Sequence, residues 1–404
     1  MAGGKGERLY PLTKDRAKPA VPFGGIYRII DFTLSNCINS GIRQIHLLVQ
    51  YKSMSLARHI RMGWNVLNSE VGEYIDVVPA QQRIDEHWYQ GTADAIYQNI
   101  YSIHTENPDD VLILAGDHIY KMNYADMYRH HKETGADLTI GVVSTPVEEA
   151  DQVGVIQVGQ ENRVVGFEEK PKKNPHTVPG DPAKVFGSMG IYIFSRKVLV
   201  EELEEDAAQT ESAHDFGKDV IPRMIARANR NIVAFNFIDM NKKDALYWRD
   251  VGTLDAYYEA NMDLIQVVPQ FNFYDRTWPI RTYQLQYPPA KFVFAQPFGG
   301  RRGTALDSLI ADGCIISGGM VQRSILSPNV RVNSYAEVED SLILEGVDVG
   351  RHAKVRNCIL DKHVKVHASA QVGYNLEEDL RRGFHVTPKG IVVVEKGAVV
   401  EASL

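Results

Sequence analysis

Apolar residues spaced six apart in the C-terminal quarter restrict this chain more than any other feature. Leu309, Ile315 and Val321 form one series, and Leu326, Val332, Val338 and Leu344 a second. Ile343, Val349 and Val355 make a third, and Leu360, Val366 and Val372 a fourth. A period of six matches neither the turn of an α-helix nor the alternation of a simple strand. It fits a hexapeptide β-helix, where each short strand covers one flat side of a prism and points its apolar residue inward. The slips between series predict loops or altered corners.

Upstream the texture differs. Short β-branched runs at 45–49, 111–115, 138–143, 191–194 and 232–237 read as buried strands. Helical patterns over 92–103 and 215–228 lie between some of them. Such alternation predicts an α/β domain: a mostly parallel, Rossmann-like sheet with helices on both faces. Runs 153–158 and 164–168 around a polar turn predict a hairpin over that sheet. Prolines 269, 279, 288, 289 and 297, with Gly299, Gly300 and Gly303, then break every period, with Phe271, Phe273, Tyr274 and Trp278 as aromatic anchors. The expected organisation is a catalytic domain over 1–265, a linker over 266–303 and a β-helix domain over 304–404.

Whole-chain properties exclude several classes. A net charge of −7 argues against nucleic acid as partner. No apolar run approaches a membrane span, and no basic-then-apolar leader is present, so no membrane partner is expected. Cys37, Cys314 and Cys358 are odd in number and far apart, which indicates neither a disulfide framework nor a zinc site. A cytoplasmic location is the plain expectation.

Four stretches carry candidate chemistry. The opening MAGGKGERLYPLTKDRAKPA interleaves Gly3, Gly4 and Gly6 with Lys5 and Arg8, with Lys18 following. It is neither a Walker A loop nor a dinucleotide fingerprint. Bare glycine backbone nonetheless lets N–H groups approach phosphate oxygens, and the cations offset negative charge, as a triphosphate or pyrophosphate requires. In LAGDHIYKMNY, Asp117 follows a strand at the sheet end where ligands sit in open α/β folds. A carboxylate near a polyphosphate suggests Mg2+, whereas His118 reads as a loop residue. Asp250, in YWRDVGT, reads by itself as a residue flanking a helix capped by Thr253. In GFEEKP, Lys170 suits a monoanion and Glu169 sugar hydroxyls. In WYQGTADA, Tyr89 offers a stacking surface and Gly91 a close backbone approach.

Together AGGKGERLYPLTKDRAKP, WYQGTADA, LAGDHIYKMNY, FEEKP, SMGIYIF, SAHDFGKDVIP and YWRDVGT resemble the sugar-phosphate nucleotidyltransferase family, in its bacterial glucose-1-phosphate adenylyltransferase branch. The resemblance runs nearly end to end. It implies ADP-glucose and pyrophosphate made from ATP and α-D-glucose 1-phosphate, the activating step of glycogen synthesis. It also implies a left-handed β-helix, Asp117 and Asp250 as Mg2+ ligands, and Arg8 and Lys18 on the ATP phosphates. Lys170 would hold the sugar phosphate and Glu169 the hexose, with Gly154, Ser188 and Tyr89 completing that pocket. Gln50 and Gln81 are candidates for adenine. Family members are commonly homotetramers under allosteric small-molecule effectors, for which Arg16, Arg28 and Arg302 are candidate anion ligands. Rival readings are a thymidylyl- or uridylyltransferase, a non-catalytic regulatory subunit, and a hexapeptide acyltransferase using His352, His363 or His367. Relatives carry an apolar strand just before A-G-G; Met1 is expected at its last position, with the natural product extending upstream.

Overall fold

A computed structural model describes residues 1–4, 6–81, 88–237, 247–296 and 300–402. In the N-terminal half the strands are β1 (Gln44–Val49), β2 (Tyr74–Pro79), β3 (Asp110–Leu114), β4 (His118–Tyr120), β5 (Leu138–Pro146), β6 (Gly154–Val158), β7 (Val164–Glu169), β8 (Lys184–Ser195), β9 (Ile232–Asn236) and β10 (Trp248–Asp250). Besides a helix over Met54–Gly63, the helices used below are α1 (Ile29–Asn39), α2 (Thr92–Tyr97), α3 (Ile100–Glu106), α4 (Tyr124–Glu133), α5 (Arg196–Ala207), α6 (Ile221–Arg227) and α7 (Leu254–Asp263).

The long strand β8 organises the sheet. It pairs antiparallel with β5 along its length, with β6 on the other side of its first part and with β3 beside its second. Parallel ladders join β5 to β9 and β1 to β2. Because side chains alternate across a strand, β8 feeds two cores. Ile191 and Ile193 pack with α1 and α4 through Cys37, Tyr124 and Met127, while Tyr192 and Phe194 pack with α5 and α6 through Leu199, Leu203 and Met224. Helices therefore cover both faces. The 92–103 pattern is two helices, since the Asn99 side chain donates to Ala95 O and to the Tyr89 hydroxyl where one helix would continue. The 215–228 pattern opens with a wide turn over Phe216–Val220 before α6, which carries Pro222 in its first turn.

Met1 and Ala2 run between β1 and β3. The Ala2 N–H donates to Leu48 O, and the Met1 carbonyl accepts from Gly116 N–H. The same gap in the sheet continues away from Ala2 as a cavity of about 740 Å3, bordered by residues of β1, β3, α1 and α3. Its lining includes Met1 and Gly116 but not Gly3, Gly4, Gly6, Lys18, Asp117 or Asp250, so it lies apart from the cluster described below.

In the C-terminal half, short parallel strands stack into three sheets. Successive partners Val321, Val338, Val355 and Val372 lie 17 residues apart. A strict period of six would give a longer coil, so one step in three is five, which accounts for the slips. The inward residues are therefore Ile316, Val321, Leu326, Val332, Val338, Ile343, Val349, Val355, Leu360, Val366 and Val372. Ile315, read as inward, is only half-buried beside Ile316, and Leu344 belongs elsewhere. One of the three sheets is apolar on both faces. Its outer residues Leu309, Ile325, Leu342, Ile359 and Val393 pack with Leu9, Leu12, Phe23 and Tyr257 of the other half. The first prism strand, Lys291–Val293, falls in the segment read as linker. Within that segment Phe271 and Trp278 are buried, the latter donating to Asn36 Oδ1 at 2.8 Å, whereas Tyr274 is exposed.

Charge also joins the halves. Arg16 makes a two-pronged ion pair with Asp361, both contacts 3.0 Å, with side chains 6% and 2% exposed. Lys14 and Tyr10 reach Glu395 at the rim.

Candidate active site

The pairing of β4 with β10 sets His118 opposite Asp250 and so brings together two carboxylates from distant stretches. Ligand atoms of Asp117, His118 and Asp250 all lie within 4.8 Å of one another. Between the carboxylates sits the Lys18 ammonium, 3.0 Å from Asp117 Oδ2 and 2.8 Å from Asp250 Oδ1. The Lys18 side chain is 9% exposed. Burial alone would lower the pKa of this ammonium; the two carboxylates outweigh that and hold it above the ordinary lysine value. Burial likewise pushes Asp117 up, but Lys18 and His118 together hold it well below the usual carboxylate range. Arg8 stands further out, 3.8 Å from Asp250 Oδ2 and mostly exposed.

Local structure explains each position. The loop holding Gly3, Gly4 and Gly6 leaves the sheet at Ala2, and the Gly6 carbonyl accepts from Thr13 Oγ1 at 2.8 Å. Lys18 opens a single helical turn that is followed by the short hairpin of Pro22–Phe23 with Tyr27–Arg28. Thr253 caps α7 as expected, accepting from Ala256 N–H at 3.2 Å. Gly252 lies between Asp250 and that cap, and a Cβ there, 2.9 Å from Arg8 Nη2 and from both Asp250 oxygens, would displace those side-chain ends. Lys5 lies outside the described residues.

A second group forms on the hairpin. Glu169 pairs in register with Gly154, and Lys170, in a left-handed conformation, places its ammonium 3.6 Å from Glu169 Oε1. Glu169 Oε2 also borders Gly217, which Asp215 caps through its Oδ1. Ser188 opens an irregularity in β8, its hydroxyl 3.4 Å from that of Tyr192. Burial, with Asp215 and Glu169 adding to it, pushes the Tyr192 phenol up to about 12. At that irregularity Gly190 abuts Ala115 and the His118 ring, which ties Ser188 to the acidic pair.

The third group closes the ring. Gly3 packs on Gln50, and Gln50 Nε2 reaches Tyr89 O at 3.5 Å. Gly91 faces backbone, since a Cβ on it would sit 2.2 Å from His214 O. Next to it, Thr92 Oγ1 donates to Asp215 Oδ2 at 3.0 Å, so the Tyr89–Gly91 stretch leads back to the group on the hairpin. Gln81 is exposed.

Reasoning from residues alone missed Asp215, Tyr192, Trp248 and Gly252. Trp248 stacks edge-on against His118 at 4.7 Å, with its indole N–H buried and without a partner among the described residues. The SAHDFGKD and YWRDVGT stretches were the available signals. The histidines of the acyltransferase alternative are all engaged on the prism: His352 stacks on Tyr335, His363 abuts Gly346, and His367 pairs with Glu401. Of the candidate anion ligands, Arg16 is committed to Asp361 and Arg28 donates to Ser55 O at 3.0 Å. No helix among the described residues is long and apolar enough to cross a membrane.

Two family models match the chain. One described as nucleotidyl transferase covers residues 1–267, and one described as GlmU-like, C-terminal hexapeptide covers residues 288–394. A protein of Koribacter versatilis (strain Ellin345) named glucose-1-phosphate adenylyltransferase is 56% identical over 397 residues, covering 98% of this chain and 94% of that protein. Proteins of the same name from Rhodopirellula baltica and Anaeromyxobacter sp. (strain Fw109-5) are 55% and 50% identical. The matches cover 99% of this chain in both, and 90% and 98% of those proteins.

Proposed function

From the premise that this chain belongs to the glucose-1-phosphate adenylyltransferases of the nucleotidyl transferase family, we propose how its site makes ADP-glucose and pyrophosphate from ATP and glucose 1-phosphate. The observation that supports the reading best is the Asp117–Lys18–Asp250 cluster at the mouth of the glycine loop.

The attacking group is a phosphate oxygen of glucose 1-phosphate, an anion near neutral pH, so no general base is needed. Two anions must meet while a third departs. The work of the site is therefore positioning and charge compensation. The backbone of Gly3, Gly4 and Gly6 receives the triphosphate, with Lys5, Arg8 and Lys18 on the oxygens that leave as pyrophosphate. Gln50 contacts the nucleotide, and Gly91, packed on the His214 carbonyl, holds the backbone beside it, with Gln81 as an outlying candidate. Lys170 binds the sugar phosphate. Glu169 accepts from hexose hydroxyls in a pocket with Gly154, Ser188 and Tyr89; Tyr192, beside Ser188, and Asp215, which like Glu169 borders Gly217, support including both in it. The donor set fits Mg2+: two carboxylates with free oxygen positions, open to a polyphosphate. When bound, Mg2+ would stabilise negative charge on the reacting phosphates, held by Asp117 and Asp250.

The glycogen role, cytoplasmic location, small-molecule effectors and homotetramer belong to the same reading, on the strength of the resemblance. Direct displacement has a stereochemical test. ATP made chiral at the α-phosphorus with sulfur and 18O should yield product of inverted configuration. Retention would mean two displacements and a covalent nucleotidyl-enzyme, for which the cluster offers no nucleophile beyond its carboxylates.

A further inference from the structure

Lys18 places its ammonium between the two carboxylates that would hold a divalent cation. Its ammonium contacts one oxygen of each aspartate at hydrogen-bond distance, and its side chain is nearly fully enclosed. Two cations cannot share that space, because like charges a few ångströms apart repel strongly in a partly desolvated site. The lysine also has somewhere to go. Its stem runs beneath the glycine loop, where a Cβ on Gly6 would lie 3.2 Å from Lys18 Cβ. A polyphosphate cradled by that loop is thus within reach of the same ammonium. Arg8, 3.8 Å from Asp250 and exposed, cannot substitute, since it covers only the outer oxygen.

We propose that Lys18 is an exchanging counter-cation, which holds the aspartate pair closed in the empty enzyme and yields it to the metal when a polyphosphate draws the ammonium away. This rests on the reading of Asp117 and Asp250 as metal ligands. The exchange makes metal and nucleotide load together. Without nucleotide the pair keeps its spacing and charge balance but resists the metal. With nucleotide, the lysine transfers its charge to the departing phosphates as the pair becomes free.

The test uses Mn2+ alone, counted by electron paramagnetic resonance on the full-length chain without nucleotide. Lys18→Met should bind Mn2+ roughly tenfold or more tightly than wild type, and Lys18→Arg should bind like wild type. Thermal melts provide a second readout. Lys18→Met should melt lower than wild type in chelator and recover more when Mn2+ is added, because two carboxylates then face each other uncompensated. Adding Asp117→Asn to Lys18→Met should abolish the gained affinity. Near-UV circular dichroism checks folding, and Lys18→Gln repeats the measurement if Lys18→Met does not fold. Equal Mn2+ affinity in wild type and both neutral variants would overturn the exchange while leaving the metal ligands in place. Absence of Mn2+ binding in every variant would overturn the exchange together with the metal reading it rests on.

Discussion

Replacing Arg16 by methionine tests how the two halves of the molecule are held together. The guanidinium meets Asp361 through two 3.0 Å contacts, and neither side chain is more than 6% exposed. Removing it leaves a carboxylate that is 2% exposed beside a domain interface. Breaking one partner of a buried pair typically costs about 3–5 kcal/mol. The lower end is expected here, because Asp361 Oδ1 keeps a 2.7 Å hydrogen bond from Lys362 N–H. All four tryptophans, Trp64, Trp88, Trp248 and Trp278, precede the prism, so their fluorescence follows the N-terminal half and its connection. In a urea titration with an m-value of about 3 kcal/mol/M, a loss of about 3 kcal/mol moves the midpoint down by about 1 M. Asp361→Leu, on the opposite half, should move the same tryptophan signal. The Arg16→Met/Asp361→Leu double variant should recover most of the loss, since no buried charge then remains unpaired. Midpoints of both single variants within about 0.2 M of wild type would refute the reasoning. So would a double variant as unstable as the sum of the singles.

Three further substitutions have defined outcomes. Asp117→Asn should lower turnover by roughly 10²–10³, the scale of one strong electrostatic element, measured as pyrophosphate release. Because Asp117 is held below its ordinary value, its contribution to stability is present above the unfolded pKa and fades as pH falls toward the folded one; the same variant should therefore lose less stability than wild type on acidification below about pH 5. Lys170→Ala should raise KM for glucose 1-phosphate far more than KM for ATP, and equal rises would move Lys170 off the sugar phosphate. Gly91→Ala forces a Cβ toward two backbone carbonyls, 2.2 and 2.4 Å away, and should cost about 1–3 kcal/mol in a thermal melt.

The prism was legible because a repeat writes the same constraint many times. Its true coil length was not, because Ile315 and Ile316 are both apolar and one step of five hides among steps of six. That ambiguity has a cause: the sheet facing the catalytic half must be apolar on both sides, so Leu344 reads as inward just as Ile343 does, although it packs with the other half. In the catalytic half the glycine loop, Asp117 and the Glu169–Lys170 pair were visible as local patterns. Asp250 was not, since only the β4–β10 ladder carries it to Asp117, and no local spacing encodes that pairing. Asp215 and Tyr192 escaped for the same reason: one acts through Thr92, the other through an irregularity in β8. The Lys18 ammonium between two carboxylates is a three-body arrangement from three distant stretches, which periodicity and composition do not register.

The most direct test of the central claim is pyrophosphate release from ATP, UTP, dTTP, CTP and GTP, each with glucose 1-phosphate and a divalent cation, with the sugar nucleotide identified by mass. An adenylyltransferase predicts a kcat/KM for ATP well above that for the other four, with ADP-glucose as product. A preference for UTP or dTTP, or pyrophosphate release that does not require glucose 1-phosphate, would contradict it.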